Sequence, residues 1–170
     1  MTDTQCNCDG AATASVLAVC VSPGGIPKEP VPEAEVVAAG LVGDGHEHEK
    51  HNKPHRAVLI QDVELLDVLK QEGYPVGPGV LGENLTVRGL GVQQMAPGTR
   101  LRLQDGPLLE LTEPRKPCFV LDKIDPQLQH VLVGRGGVFA RVLEPGRVFV
   151  GQRIEVVSQP APDEACSRGG

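Results

Sequence analysis

The sequence predicts a mainly β (α+β) domain with two or more short helices, and three observations carry that expectation. Glycine contributes 21 and proline 15 of the 170 residues, which suits short strands and tight turns better than long helices. Short β-branched or alternating runs are spaced along the whole middle of the chain, each long enough for one strand. Finally, Gly98-Thr99-Arg100-Leu101-Arg102-Leu103 recurs as Gly151-Gln152-Arg153-Ile154-Glu155-Val156. In both, a glycine turn leads into alternating polar and apolar residues, which supports a closed or rolled sheet. Six residues are too few for a duplication.

Residues 1–15 are polar and rich in small side chains, and residues 158–170 carry two prolines, charges and a Gly-Gly end. Both are predicted to be flexible tails around one domain spanning residues 16–157. The β-branched run Val16 to Ser22 predicts a buried first strand, ended by Pro-Gly-Gly, and Ala34 to Ala39 a second. Leu41 to His55 has much charge and little periodicity, so it reads as a long surface loop. A strand resumes over Arg56 to Gln61.

Asp62 has the chemistry of an N-cap, with Glu64 and Lys70 complementing the helix dipole and Gly73 ending the helix. Leu65, Leu66, Leu69 and Val68 are its candidate buried face. The Pro/Gly-rich turn Gly77 to Gly82 leads into a strand at Leu85 to Val87. Further strands are predicted at Arg100 to Leu103, Leu108 to Thr112, Val138 to Leu143, Val148 to Val150 and Arg153 to Val157, with a second short helix over Asp125 to Val133.

A chain of this length is expected to form one core and bury roughly two-thirds of its unfolded surface. With 22 acidic against 16 basic residues, a net charge of -6 and 2% aromatics, it has neither a broad cationic face nor stacking platforms, so no nucleic-acid partner is expected. The five cysteines, Cys6, Cys8, Cys20, Cys118 and Cys166, are odd in number and unevenly spread, a poor disulfide framework. Leu17 to Cys20 has a lipoprotein-like spelling but lacks a preceding cation and an apolar run. No stretch approaches the roughly 18 apolar residues of a membrane span. The expected location is cytoplasmic, with no membrane partner.

Cys118 is the candidate reactive residue. It lies in Glu113-Pro114-Arg115-Lys116-Pro117-Cys118-Phe119, flanked by two cations, and cations favour the thiolate that acts as nucleophile or metal ligand. The alternative is a packed structural thiol. Upstream, His46, His48, His51 and His55 fall within ten residues, but their spacing matches no standard zinc pattern and charged neighbours suggest a hydrated loop, so zinc is not expected. The other reading places His46, His51, His55 and Arg56 at a cleft, where an arginine is suited to an anion, with His48 turned to solvent. Glu83 and Asn84 follow the glycine-rich turn, where Asn84 serves either a ligand edge or the turn itself. Arg141, in an apolar strand, points either to solvent or to an anion. Cys6-Asn7-Cys8 and Cys166 fall on the predicted tails, and Cys20 is expected in the core. The turn Gly77 to Gly82 lacks the ending of a phosphate-binding P-loop.

Gly43-Asp44-x-His46, His55-Arg56, Gly82-Glu83-Asn84-Leu85-Thr86, Pro117-Cys118, and Gly137-Val138-Phe139-Ala140-Arg141-Val142-Leu143 with Val150-Gly151-Gln152 together resemble the MOSC domain, named after the C-terminal part of molybdenum cofactor sulfurases. The elements stand in the family's order from about Val16 to Val157, as in a free-standing small member. The resemblance implies a MOSC-type β-barrel, with Cys118 carrying sulfur as a persulfide or ligating molybdenum in the pterin cofactor. It also implies cofactor contacts from His46, His51, His55, Arg56, Glu83, Asn84, Arg115, Lys116 and Arg141. The implied partners are a pyridoxal-phosphate-dependent cysteine desulfurase, a molybdoenzyme or an electron-transfer protein. No pyridoxal-phosphate lysine site, ferredoxin cluster or flavin motif is recognisable here. Two alternatives are a molybdenum-dependent reductase of N-hydroxylated compounds and a non-catalytic module that binds or chaperones the cofactor.

Overall fold

The computed structural model describes residues 13–45 and 53–160. Most of both expected tails, with Cys6, Cys8 and Cys166, and the loop residues His46, His48 and His51 lie outside the described residues. The described residues contain eleven strands: β1 (Ser15–Val21), β2 (Glu29–Val31), β3 (Glu33–Val37), β4 (Gly40–Leu41), β5 (Val58–Asp62), β6 (Leu85–Arg88), β7 (Arg100–Leu103), β8 (Leu108–Pro114), β9 (Val138–Glu144), β10 (Gly146–Phe149) and β11 (Ile154–Ser158). Two helices accompany them, α1 (Val63–Gln71) and α2 (Leu128–Val131), with 3-10 turns at Pro54–Arg56, Val92–Gln94 and Phe119–Lys123. The chain is therefore a sheet-dominated α+β protein. No helix among the described residues is long and apolar enough to cross a membrane.

Eight strands form one sheet in the order β11-β7-β8-β9-β5-β6-β1-β2, and β10-β3-β4 form a second. All pairings are antiparallel except β5 with β6. The exception follows from connectivity, since α1 intervenes between them and a parallel pair requires such a crossover. β5 is buried along its whole length. A central strand covered on both faces carries a near-continuous apolar run, which Val58, Leu59 and Ile60 supply.

The inner face of the large sheet contributes Val16, Val19, Val58, Ile60, Leu85, Val87, Leu101, Leu103, Leu109, Leu111, Val138, Ala140 and Ile154 to one apolar cluster. A second cluster packs Leu66 and Leu69 of α1 with Leu81, Leu121, Leu128 and Leu132. Each fully buried leucine there contributes about 1.5–3 kcal/mol of transfer free energy. The two echoed segments are partners: β7 and β11 pair with Ile154 opposite Leu103 and Val156 opposite Leu101. Their similarity reflects two strands facing the same core across one ladder.

The expected barrel is not found as a closed ladder among the described residues, because the strand order is that of an open sheet. The sheet does roll. An isolated bridge joins Ser15 to Arg153, and the Val16 N–H donates to the Gln152 carbonyl at 2.8 Å.

Five elements were absent from the sequence expectation: β2, which contains Pro30; the two-residue β4; and the three 3-10 turns. Asp62 does occupy the N-cap position of α1, but its side chain makes no capping bond. The carboxylate instead accepts from the backbone N–H groups of Gly91 and Val92 at 3.1 Å and of Gln93 at 3.3 Å. Three donors from a neighbouring turn outcompete one local cap. On α1 the buried residues are Val63, Leu66 and Leu69, whereas Val68 is exposed.

Candidate functional site

Cys118 is positioned by the end of β8. Pro114, which has no N–H to donate, closes the β8 ladder opposite Val138, and the Arg115 N–H donates to the Gly137 carbonyl at 3.0 Å. The chain then leaves the sheet. Cys118 is extended (φ -140, ψ 171) and stands at the N-cap of the Phe119–Lys123 turn. Its carbonyl accepts from the Leu121 N–H at 3.1 Å, and Leu121 is fully buried. The backbone is thus pinned on both sides while the thiol is half-buried. Phe119 beside it is 75% exposed, unusual for an aromatic ring and compatible with a contact surface.

The two cations next to Cys118 have different fates. Lys116 is exposed. Arg115 turns inward, and its guanidinium donates to the Leu81 carbonyl. Burial pushes the Arg115 pKa down, whereas first Cys118 and then Glu83 hold it up. Arginine remains charged under such opposing influences, so a fixed positive charge stands close to the thiol. The neighbouring Gly82 is required by its own backbone and by Ile26. Its φ is +94°, and an added Cβ would lie 2.6 Å from Ile26 Cγ2.

Glu83 is 1% exposed. Its Oε1 accepts from the Gly79 N–H at 2.8 Å and from Thr86 Oγ1 at 3.0 Å. Its Oε2 is buried with no hydrogen-bond partner among the described residues. Burial, partly opposed by these bonds and by Arg115, raises the carboxyl above its ordinary range. Asn84 sits in a saturated network. Its Oδ1 accepts from the Leu59 N–H at 3.0 Å, and its Nδ2 donates to Asp44 Oδ2 at 2.9 Å and to the Cys20 carbonyl at 3.4 Å. Asp44 also accepts from Lys28 Nζ at 2.5 Å and from the Ser22 N–H at 3.0 Å. The Cys20 thiol lies in the core, and burial pushes its pKa to about 11.

A hollow of about 450 Å³ opens beside the C-terminal half of β8, lined by Pro54, His55, Thr112, Glu113 and Arg141. Glu113 is its centre. Its Oε1 meets Arg56 Nε and, at 3.3 Å, His55 Nε2. The Arg56 guanidinium holds the Glu113 carboxyl below its ordinary range, with His55 and Lys116 adding to the effect. Arg56 also lies over the Phe139 ring, 5.4 Å from its centre. Arg141 is exposed on the outer face of β9, and its Nε faces Glu110 Oε1 at 3.5 Å.

The candidate residues therefore fall into three groups. Cys118, Arg115 and Glu83 form one; His55, Arg56 and Arg141 line or flank the hollow; Asn84 belongs to the structural network around Asp44. Lys116 links the first two electrostatically through Glu113. Glu113, Asp44 and Phe139 were missed as contributors. Glu113 stood in the segment quoted for Cys118, and an acid two residues from a cation at a strand end was its available signal.

The MOSC domain family model matches residues 47–155. At 32% identity, 133 residues match a protein named Reductase of Gibberella moniliformis (strain M3125 / FGSC 7600), covering 74% of this chain and 24% of that protein. Also at 32% identity, 142 residues match YflK of Bacillus subtilis (strain 168), covering 79% of this chain and 64% of YflK. The chain spans about a quarter of the first relative and under two-thirds of the second. Among solved structures, the fold resembles the YuaD protein of Bacillus subtilis (TM-score 0.71, 20% identity, 84% of this chain and 94% of that one). YiiM of Escherichia coli superposes with a TM-score of 0.66 at 25% identity, covering 88% and 70% of the two chains.

Proposed function

The chain belongs to the MOSC domain family, and from that premise we propose that it serves the molybdenum cofactor, with Cys118 as the thiol that receives sulfur or binds the metal. One observation carries the reading: Cys118 is half-buried on a pinned backbone with the inward-turned charge of Arg115 close by. As thiolate, a cysteine is both a sulfur nucleophile and a soft ligand suited to a thiophilic metal. The donor set fits the group. Cys118 offers the sulfur, and Arg56, Lys116 and Arg141 offer charge for an anionic substituent, Arg56 and Arg141 in planar form. When bound, the cofactor supplies two-electron chemistry at molybdenum.

As a sulfur carrier, the Cys118 thiolate attacks the terminal sulfur of a donor protein's persulfide. The new S–S bond forms on Cys118, the donor's S–S bond breaks, and its cysteine departs as thiolate. A cysteine desulfurase is the class of donor that makes such a persulfide. Phe119 gives an incoming protein an apolar foothold beside the thiol.

Incubation with a desulfurase and cysteine, followed by intact mass analysis, tests this version. Wild type gains one sulfur atom and Cys118→Ala gains none; equal gain by both proteins rules it out. A second reading, favoured by the relative named Reductase, is a molybdenum-dependent reductase of N-hydroxylated compounds in which Cys118 ligates the metal. Stoichiometric molybdenum that depends on Cys118, without sulfur uptake, selects it.

A further inference from the structure

The hollow beside Arg141 contains one group that anion binding leaves unused. Glu113 commits Oε1 to Arg56 and His55, and among the described residues no hydrogen bond or ion pair engages its Oε2. The carboxyl is about a third exposed and lines the 450 Å³ hollow, a size within the roughly 300–1,000 Å³ of small-molecule sites. His55 and Arg141 bring two flat groups to the same lining, an imidazole and a guanidinium, and Pro54 adds an apolar pyrrolidine ring. The Thr112 hydroxyl, the remaining lining group, is turned to the carbonyls of His55 and Phe139. The hollow thus pairs planar surfaces with one fixed carboxylate.

We propose that Glu113 is the specificity-determining residue of this hollow, accepting the paired N–H donors of the cyclic guanidine edge on a planar heterocycle. An ionised carboxylate only accepts hydrogen bonds, and Oε2, with both of its lone-pair positions free among the described residues, accepts two N–H donors that converge on it in one plane. The amino-oxopyrimidine edge shared by pterins and guanine presents that pair. Arg56 and His55 fix the carboxylate's orientation from behind, so it is preorganised for the ligand. Replacing the ring's amino group by an oxygen would remove one of the two donors and set an acceptor against the carboxylate. The inference rests on the cofactor reading for the presence of a pterin here, but the edge recognition itself is the same for a guanine nucleoside.

Calorimetric titration of the metal-free protein with two matched pairs tests it: pterin against lumazine, and guanosine against xanthosine, which differ only in amino versus oxo. Wild type should prefer at least one amino compound by about tenfold or more, the range of a paired contact. A preference within the pterin pair assigns the pterin as source, and one within the guanosine pair assigns the nucleoside. Glu113→Gln, which turns one acceptor into a donor, should erase the preference. Equal affinities in both wild-type pairs, or a preference that persists in Glu113→Gln, overturn the proposal. Neither result touches the sulfur-uptake test at Cys118, so the two readings fail separately.

Discussion

The Asp44 carboxylate accepts from Asn84 Nδ2 at 2.9 Å, tying the turn after β4 to the start of β6. Lys28 completes the tie at 2.5 Å, with side chains of Lys28 and Asp44 only 11% and 3% exposed. A buried pair of this kind is costly to break, because one charge is left unpaired.

Asn84→Ala should therefore cost about 2–3 kcal/mol by urea unfolding, as three buried partners lose a hydrogen bond. Asn84→Asp should cost more, since it sets a second carboxylate against Asp44. A neutral Asn84→Ala that nevertheless loses cofactor would reassign this residue from scaffold to ligand contact.

Gly137 anchors the Arg115 backbone at a φ of +86°, and an added Cβ would stand 2.6 Å from the Ile60 carbonyl oxygen. Gly137→Ala should lower stability by about 2 kcal/mol or more, a fall of roughly 4–8 °C in Tm for a domain of this size. An unchanged Tm would show that β5 and β9 can separate there at little cost.

Stability should also report on Glu83. Burial raises this carboxyl above 4.5, so the folded protein holds the proton more tightly than the unfolded chain does. That contribution is complete below the unfolded value and is lost as pH rises through the higher folded one. Asp62 has the same sign, whereas the lowered Glu113 has the opposite one and, being partly exposed, a small effect. The stability of Glu83→Gln relative to wild type should therefore grow as pH rises from the ordinary carboxylate range toward neutrality. A pH-independent difference between the two proteins would contradict the assignment.

The two described thiols should differ sharply. Cys20 is fully buried with its pKa near 11, while Cys118 is half-buried. Brief iodoacetamide treatment of the folded protein near neutral pH, followed by peptide mass mapping, should modify Cys118 and leave Cys20 intact. Modification of Cys20 first would reverse the roles assigned to these residues.

Much of the fold was legible because period-two patterns reflect burial directly. β7 occupies Arg100–Leu103 as expected, and β1, β8, β9 and β11 differ by one or two residues. β2 and β4 were hidden, since Pro30 and a two-residue strand carry no periodic signal and form only through partners elsewhere in the chain. At the site, the cationic company of Cys118 was visible in Arg115 and Lys116. Their divergence was not. Arg115 turns inward to the carbonyl of Leu81, which is remote in sequence. Asn84 illustrates the same limit: its partners Leu59, Cys20 and Asp44 come from remote parts of the chain.

The most direct measurement of the central claim is the adduct on Cys118 in protein made in a cofactor-competent host that also supplies a cysteine desulfurase. Native and denaturing mass spectrometry, with molybdenum analysis, compares wild type and Cys118→Ala. The account predicts that wild type carries added sulfur or stoichiometric molybdenum and that the variant carries neither. Equal sulfur and equal molybdenum in the two proteins, or neither in wild type, would contradict it.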